Sequence, residues 1–322
     1  MRYQVTGLGG RGERAAVRSW RVQSSALVPD PGTAVSSPSY RADGWYDAPA
    51  RSTVMAALVE AGEYPELFHS DNMAAVDRAR FAVPWWYRTA FQAVGPARTS
   101  LHLTGVIHAA SVFVNGALVA GPDVVAGAYP STSIDITRHV VRGLNALALE
   151  VLPGSPMTDL STGWVDWNQW PPDNNMGIFR DVLLHRHGDV RLAAPHVVAE
   201  PLLPGLERAE VSVAVPFDNL ADEPRQVSLR CVVSGNGATI EFGADLEVEA
   251  GASGAVLFTP EKVPALSIDS PAVWWPAAEG AQPLYDLEVT AFVEGGVSDR
   301  AAATFGVRTV TSEILPGEGR QF

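Results

Sequence analysis

Cysteine and lysine are almost absent from this chain of 322 residues. Cys231 is the single cysteine and Lys262 the single lysine. One cysteine excludes an internal disulfide framework and any zinc cluster built from cysteines. Cys231 alternates with other residues in an apolar run that includes Val227, Leu229 and Val233, so we predict that it is a buried thiol on a strand.

Charge is also scarce, at 18 % of the residues against a typical quarter. Acidic residues outnumber basic ones by 36 to 23, which gives a net charge of −13. Nucleic acids and anionic membranes carry negative charge, so this balance disfavours both as partners, and no basic block offsets it. Apolar residues make up 47 % of the chain, which is typical of a folded globular protein.

Long hydrophobic runs are missing as well. No stretch approaches the roughly 20 apolar residues of a membrane span, and the N-terminal segment MRYQVTGLGGRGERAAVRSW has no apolar core of a signal peptide. We therefore expect no membrane partner and favour a cytoplasmic location, with secretion as the alternative if a leader has been trimmed.

Helical patterns are rare, and the dominant pattern is the alternation of apolar residues with other residues, with a period of two. One helix is predicted over 52–62, with Ser52 or Thr53 as its N-cap and Gly62 as its C-terminal stop. Asn115-Gly116 predicts a type I′ hairpin turn. Apolar residues alternate, as in half-buried strands, over 101–103, 112–114, 147–151, 211–215 and 287–293. The pattern indicates an all-β sandwich architecture.

A glycine run near the N-terminus, Gly7 to Gly12, fits the G-x-G-x-x-G pattern of a dinucleotide site. It lies between a strand-like RYQV and a helix-like ERAAVRSW. Asp30 has about the right separation for the acidic residue of such a site, but Pro29 and Pro31 flank it and no parallel α/β pattern follows. We therefore expect no cofactor here and interpret the run as a flexible N-terminal tail.

Metal and nucleophile motifs are equally weak. His185 and His187 would project from one face of a strand, but no third metal ligand is evident, so a solvated strand face is favoured over a metal site. No G-x-S-x-G nucleophile elbow is present. In the pairs Trp85-Trp86 and Trp274-Trp275, successive residues face opposite sides of a strand, so we expect one ring in a core and the other over a joint.

The most informative segment runs from Gly163 to Gly177 and reads GWVDWNQWPPDNNMG. Three tryptophans alternate here with carboxylates and amides, and two prolines forbid a long helix. A pyranose offers an apolar C–H face to an aromatic ring and hydroxyls to carboxylates and amides. Two interpretations stay open. The segment is a carbohydrate site, or its tryptophans fill a hydrophobic core or an interface between domains while its Asp and Asn residues cap turns.

Several segments, in the same order, resemble the N-terminal part of family 2 glycoside hydrolases. The similarity covers roughly residues 42–322. The segments that carry it are ARSTVMAALVEAGEYPELFHSDNM, PWWYRTAF, LHLTGVIHAASVFVNGALVAG, IDITRHVVRGLNALALEV, WVDWNQWPPDNNMGIFRDVLL, WWPAAEGAQPLYDLEV and TFGVRTV. An ordered set of motifs is far more specific than any one of them.

The resemblance implies a jelly-roll, galactose-binding-like β-sandwich over 42–192 and an immunoglobulin-like β-sandwich over 193–310. Residues 1–41 would be an N-terminal extension that holds part of the first strands. Residues 311–322 hold too little for an element of their own and would begin the linker to a (β/α)₈ barrel. That barrel takes about 250 residues and carries both catalytic glutamates in the family. We expect it to be absent, so no catalytic residue is assigned and the chain alone is predicted to be inactive.

The resemblance also implies which residues bind substrate. In relatives an Asp-Trp-Asn loop of the first domain helps to shape the subsite for the non-reducing sugar. Here Asp166 would accept from hydroxyls or pair with the ammonium group of glucosamine, and Trp167 would form a wall. Asn168, Asp173 and Asn174 would add polar contacts.

The implied partners are a carbohydrate and the C-terminal barrel of the same parent chain. The run WVDWN followed by PPDNNMG is most similar to exo-β-D-glucosaminidases, so the expected ligand is a β-glycoside such as a chitosan oligosaccharide. The alternatives are the same domains from a β-mannosidase or β-galactosidase, and a free-standing carbohydrate-binding protein.

Overall fold

The computed structural model describes residues 3–95, 97–155, 157–159, 169–317 and 319–321. The chain divides into two compact units, 1–186 and 187–322, each with its own hydrophobic core. The boundary after residue 192 that the sequence indicates stays a prediction.

The first unit consists mainly of strands. Its strands are β1 (Thr6–Leu8), β2 (Glu13–Ala16), β3 (Ser19–Ser24), β4 (Tyr46–Pro49), β5 (Ser52–Thr53), β6 (Trp85–Ala93), β7 (Arg98–Leu103), β8 (Val106–Ile107), β9 (Ala109–Val114), β10 (Ala117–Ala120), β11 (Thr132–Asp135), β12 (Gly143–Leu152), β13 (Gly177–Ile178) and β14 (Val182–His187). Its helices are α1 (Gly32–Val35), α2 (Val54–Glu60) and 3₁₀ turns at Ser25–Leu27, Arg78–Phe81 and Thr137–His139.

These strands form two large sheets and one small one. The largest has the order β10-β9-β12-β6-β3-β4, with β1 parallel to β6, and the second has the order β11-β7-β14-β2. The third is β5-β13-β8. Side chains from both large sheets and from α2 share one core, which includes Trp20, Tyr87, Leu101, Leu184 and Leu58. The arrangement confirms the predicted all-β jelly-roll class.

The second unit is a two-sheet sandwich followed by a hairpin. Its strands are β15 (Val190–Leu192), β16 (His196–Pro201), β17 (Arg208–Asn219), β18 (Arg225–Gly235), β19 (Ala238–Val248), β20 (Ser253–Phe258), β21 (Ser267–Asp269), β22 (Tyr285–Val293), β23 (Gly296–Phe305), β24 (Glu313–Leu315) and β25 (Gly319–Gln321), with a 3₁₀ turn at Pro264–Leu266. In one sheet β15, β16, β20 and β21 all pair with β17; the other has the order β19-β18-β22-β23. The immunoglobulin-like prediction is confirmed at the level of this β-sandwich.

Two local predictions are confirmed. Asn115 and Gly116 both have positive φ, 49° and 87°, and join β9 to β10. Helix α2 begins after Thr53, whose hydroxyl accepts from the Ala56 amide at 3.2 Å, and is followed by Gly62 at φ 82°. Both features depend on residues that are close together in the chain. The local sequence is therefore enough to specify the hairpin turn and the start of the helix.

Two predictions are wrong: that the glycine run is a flexible tail, and that residues 311–322 form no element of their own. Part of the glycine run lies in β1, which pairs with β6, and Gly12 forms the turn into β2 with its amide donating to the Arg186 carbonyl at 2.7 Å. The helix-like ERAAVRSW forms β2 and the start of β3. Near the C-terminus, β24 and β25 pair as a hairpin, so this segment does form an element.

The histidine pair also differs from its prediction. His185 and His187 are both fully buried, so they do not lie on a solvated strand face. Among the described residues, no group of three or more potential ligands is placed to hold a metal ion. Cys231 is buried in the second core as predicted, and burial raises the pKa of its thiol to about 12.

The tryptophan pairs differ from each other. Trp85 and Trp86 are both buried, in separate clusters on opposite faces of β6. Trp274 is half-buried and stacks under the guanidinium of Arg308, whereas Trp275 is 42 % exposed. Within the described ranges no helix has the length and apolar character needed to cross a membrane.

Candidate functional site

The candidate site is built around the turn 169–177, whose last residue, Gly177, is the first residue of β13. Strand β13 pairs antiparallel with both β5 and β8, so the end of the turn is fixed between two strands of the small sheet. Asn174 and Asn175 adopt left-handed backbone conformations, with φ of 51° and 59°. Asparagine tolerates this region better than other residues that carry a Cβ, so the sequence PPDNN suits a compact turn.

The turn ends on a glycine because β5 and Tyr87 leave no room for a side chain. Gly177 has φ 147°, and a Cβ there would lie 2.6 Å from the Ser52 carbonyl oxygen, the Thr53 Cα and the Tyr87 hydroxyl. The same hydroxyl donates to the Ser52 carbonyl at 3.1 Å. Burial raises the pKa of Tyr87 well above its usual value, so the phenol stays protonated and keeps this bond.

Asp173 lies at the centre of the turn and is only 2 % exposed. Its Oδ2 accepts from the Met55 amide at 2.7 Å and its Oδ1 from the Asn175 amide at 3.0 Å. Burial raises the pKa of this carboxyl, and the hydrogen bonds oppose that rise because they favour the charged form. The nearby hydroxyl of Thr53 also lowers the pKa of this carboxyl.

The same contacts complete the start of α2. A helix leaves its first backbone N–H groups without partners inside the helix. Here the Val54 amide donates to the Met176 carbonyl at 2.8 Å, the Met55 amide to Asp173, and the Ala56 amide to Thr53. Two of these three acceptors belong to the turn 169–177, so the turn and the helix hold each other in place.

A second set of contacts fixes the outer part of the turn. The Asn174 side chain accepts from the Trp170 indole N–H at 2.6 Å and donates to the Gly154 carbonyl at 3.2 Å. Arg78 donates to the Trp170 carbonyl at 3.0 Å. Gly154 follows β12, so Asn174 ties the turn to the segment that leaves that strand.

A cleft of about 680 Å³ opens between α2 and the turn. Its walls are mostly apolar, with a carboxylate at Glu60 and amides at Gln169 and Asn175. Phe68 stands at the cleft and is 81 % exposed. The lining residues are Thr53, Met55, Ala56, Val59, Glu60, Leu67, Phe68, Met73, Gln169, Pro171, Pro172, Asp173 and Asn175. Large apolar clefts with a few converging polar groups are the usual form of a small-molecule site.

The five predicted substrate-binding residues fall into two groups. Asp166, Trp167 and Asn168 lie outside the described residues. Asp173 and Asn174 lie together in the turn, where their polar atoms bond to the protein itself. A sugar contact by any of the five stays a prediction. Thr53, Met55 and Arg78 also belong to this region, but no pattern in the sequence predicts it, and Thr53 is recognisable there only as a helix cap.

The described residues also include a pair of neighbouring imidazoles outside this region, of which His102 is half-buried. His102 and His185 have their ring centroids 5.5 Å apart, and His102 Nε2 lies 3.4 Å from His185 Nδ1. His185 is fully buried. The pair lies on β7 and β14 in the second sheet, so it is a structural feature of the sandwich and not a part of the cleft.

Comparison with known proteins places both units in one family. Residues 20–159 match the glycosyl hydrolase 2 galactose-binding domain-like model, and residues 191–308 match the glycosyl hydrolases family 2 model. The exo-β-D-glucosaminidase of Streptomyces avermitilis is 42 % identical over 312 residues, covering 97 % of this chain and 34 % of that protein. The corresponding enzyme of Amycolatopsis orientalis is 41 % identical, covering 97 % and 29 %.

A solved structure agrees with the sequence match. The exo-chitosanase CsxA of Amycolatopsis orientalis superposes with a TM-score of 0.86 at 40 % identity, covering 96 % of this chain and 35 % of that one. This chain spans about a third of the length of the relatives it matches. It therefore belongs to glycoside hydrolase family 2 and consists of the galactose-binding-like and immunoglobulin-like domains that form the N-terminal, non-catalytic part of such enzymes.

Proposed function

We propose that this chain is the non-catalytic N-terminal part of a retaining exo-β-D-glucosaminidase that removes terminal glucosamine from chitosan-type substrates. The observation that carries the proposal is similarity along 97 % of the chain to enzymes of that activity. A structure of the similar exo-chitosanase in complex with PNP-β-D-glucosamine also matches, with a TM-score of 0.87. The net charge of −13 suits a cationic polysaccharide.

Within that function, we propose that Asp166, Trp167 and Asn168 contact the terminal sugar. A carboxylate can pair with an ammonium group, an indole can pack against the C–H face of a pyranose, and an amide can bond to hydroxyls. The next residues along the chain belong to the turn 169–177, which is fixed to α2 and β13. The acid/base and nucleophile would belong to a C-terminal barrel of the parent protein.

The proposed activity is tested with the full-length protein encoded by the gene and a panel of 4-nitrophenyl β-glycosides. We expect kcat/KM for the glucosaminide to exceed that for the mannoside and the galactoside by about two orders of magnitude or more. A site built to bond a polar group rejects analogues that lack it by large factors. A preference for the mannoside or galactoside would overturn the proposal, and so would sugar binding without any hydrolysis.

The proposed sugar contact is tested with Asp166→Ala in the same full-length protein. Loss of a charged hydrogen bond costs on the order of 2 to 3 kcal/mol, so kcat/KM for the glucosaminide is expected to fall roughly 30- to 150-fold. Thermal unfolding should be unchanged. If kcat/KM stays at the wild-type value, Asp166 does not bind the sugar.

A further inference from the structure

We infer that one corner of the first unit, where β1, β6 and β14 end and β2 begins, binds a small oxyanion such as inorganic phosphate, with the guanidinium of Arg186 as its main contact. The inference is independent of the proposed function and of the cleft beside α2. It gives a role to the glycine run 7–12, whose pattern is typical of phosphate-binding loops and which takes no part in the cleft.

The guanidinium of Arg186 is buried with most of its hydrogen-bonding capacity unused. The residue is 1 % exposed and is one of the largest fully buried side chains. Its Nη2 donates to the Gly95 carbonyl at 2.6 Å, whereas Nε and Nη1 are buried without a hydrogen-bond partner among the described residues. Buried charges are normally paired, because an unpaired one strongly destabilises a fold. This group therefore points to an acceptor that comes from outside the chain.

The charged groups near Arg186 leave a local excess of positive charge. Burial lowers the pKa of Arg186, the carboxylate of Glu13 opposes this fall, and the guanidinium of Arg11 adds to it. Arginine still stays protonated at neutral pH. Two guanidinium groups thus face one carboxylate. The net charge of −13 repels anions at long range, but salt screens charges beyond about 10 Å, so the local excess decides what binds here.

Strand pairing brings these groups together. Arg186 lies opposite Glu13 in the antiparallel pair of β14 and β2, and the Arg186 carbonyl accepts from the Gly12 amide at 2.7 Å. Strand β1 runs parallel to β6, so the glycine run leaves β1 beside the end of β6, just before Gly95. The corner is therefore built by the fold before any ligand binds.

The outer layer of this corner is thin and opens easily. Gly10, Arg11 and Glu13 are exposed, and a Cβ on Gly10 would have no heavy atom within 4 Å. The carboxylate of Glu13 lies against Gly9, in the space that a side chain at Gly9 would occupy. Glu13 is an exposed and flexible side chain, so its rotation opens the corner without disturbing a strand. Its carboxylate competes with the ligand for the positive charge.

The donors at this corner select an oxyanion. The planar fork of a guanidinium matches the oxygens of phosphate and carboxylate, which accept two N–H bonds at once. A dinucleotide does not fit, because the glycine run leads into strand β2 and not into a helix whose N-terminus would hold a pyrophosphate. Phosphate carries more charge than a simple carboxylate, so it is the stronger probe.

The experiment is equilibrium dialysis of the full-length protein encoded by the gene against radiolabelled inorganic phosphate at low ionic strength. Arg186→Met removes the guanidinium and keeps a long, unbranched side chain. Arg11→Gln and Glu13→Gln each remove one charge from an exposed position and leave the core intact. Circular dichroism and the melting temperature of each variant report whether the fold persists.

Arg88→Met is the matched control. Arg88 is also a buried arginine of the first unit, at 6 % exposure. Unlike Arg186, it donates from Nε to the Val35 carbonyl and from Nη2 to the Ser37 carbonyl, both at 2.9 Å. Its loss should lower the melting temperature and leave the affinity for phosphate unchanged.

We expect one phosphate site per chain that Arg186→Met weakens at least about tenfold, because a hydrogen bond between charged groups contributes at least this factor. Arg11→Gln should weaken binding roughly two- to fivefold, and Glu13→Gln should strengthen it by a similar factor, because these charges lie near the ligand but are exposed to solvent. Added sodium chloride should weaken phosphate binding to the wild type.

Three outcomes would overturn the inference. If the wild type shows no saturable phosphate binding, water alone satisfies the guanidinium of Arg186. If Arg186→Met and Arg11→Gln both bind phosphate as the wild type does, the ion binds elsewhere. If Glu13→Gln fails to strengthen binding and lowers the melting temperature, Glu13 is the partner of Arg186 and no ligand is needed. Should Arg186→Met not fold, the two exposed variants still decide, and none of these results depends on hydrolysis of a glucosaminide.

Discussion

Solvent exposure decides what the polar residues of the turn can do. Asp173 and Asn174 are neighbours in a sequence typical of a carbohydrate loop, yet Asp173 is buried and bonded to backbone amides, while Asn174 joins Trp170 to Gly154. The residue types predicted polar contacts here, but the sequence could not show which groups would be their hydrogen-bonding partners. The Met55 amide that bonds to Asp173 lies 118 positions away.

Cys231 shows the opposite case, in which the local pattern was sufficient. The alternating run around it predicted a buried strand thiol, and the side chain is 1 % exposed on β18 between β19 and β22. Burial disfavours the thiolate and raises its pKa to about 12. The residue should therefore be unreactive toward thiol reagents until the second unit unfolds.

This pKa shift predicts a loss of stability at high pH. The thiol titrates near 8.5 in an unfolded chain and near 12 in the fold, so above pH 8.5 the unfolded state loses a proton that the folded state retains. Each further pH unit then lowers the free energy of unfolding by about 1.4 kcal/mol. Between pH 7 and 10 we expect a loss of about 2 kcal/mol from this group.

The measurement is urea unfolding of the wild type and of Cys231→Val at pH 7 and pH 10. Other groups also titrate in this range, but they are shared by both proteins, so the difference between them isolates the thiol. Valine suits the site because the neighbouring strand positions are apolar. Equal losses in the two proteins would show that the fold does not hold Cys231 as a neutral thiol.

At the scale of elements, predictability follows the distance between interacting residues. Helix α2 and the β9–β10 hairpin depend on neighbours in the chain, namely Thr53 with Ala56 and Asn115 with Gly116, and both were predicted. The glycine run was misjudged because β1 is stabilised by parallel pairing with β6, more than 80 positions later. Short-range patterns of glycine carry no information about such a partner.

The turn 169–177 depends both on residues that are neighbours in the chain and on residues far away in the chain. Its compactness could be predicted from Pro171, Pro172 and the asparagines that follow, since these residues favour turns. Its position could not, because β13 is a strand of two residues whose partners, β5 and β8, come from distant parts of the chain. The glycine at 177 is explained only by the approach of the Ser52 carbonyl and the Tyr87 hydroxyl.

For the whole molecule, the ordered set of motifs was more informative than composition. Length and period-two alternation indicate two β-sandwiches, and the structure contains two compact units with separate cores. Only the resemblance indicated the enzyme family, because no local pattern in these domains specifies a reaction. The relatives are about three times as long as the matched region, so chemistry that belongs to the remaining length cannot be found in these residues.

The family resemblance places the catalytic residues in a barrel and not in these two domains. This predicts how the 322-residue chain behaves by itself. Retaining hydrolysis requires two carboxyl groups about 5 to 5.5 Å apart across the scissile bond, and the family resemblance places both on barrel strands. We expect the purified chain to be folded, as judged by circular dichroism, and to release no nitrophenol from PNP-β-D-glucosaminide under conditions in which the full-length protein is active. Titration calorimetry with glucosamine should show weak or no binding, because one wall of a pocket provides few of the contacts that fix a sugar. Hydrolysis that co-elutes with the chain in size-exclusion chromatography would contradict this and would require a catalytic carboxylate pair within the two sandwiches.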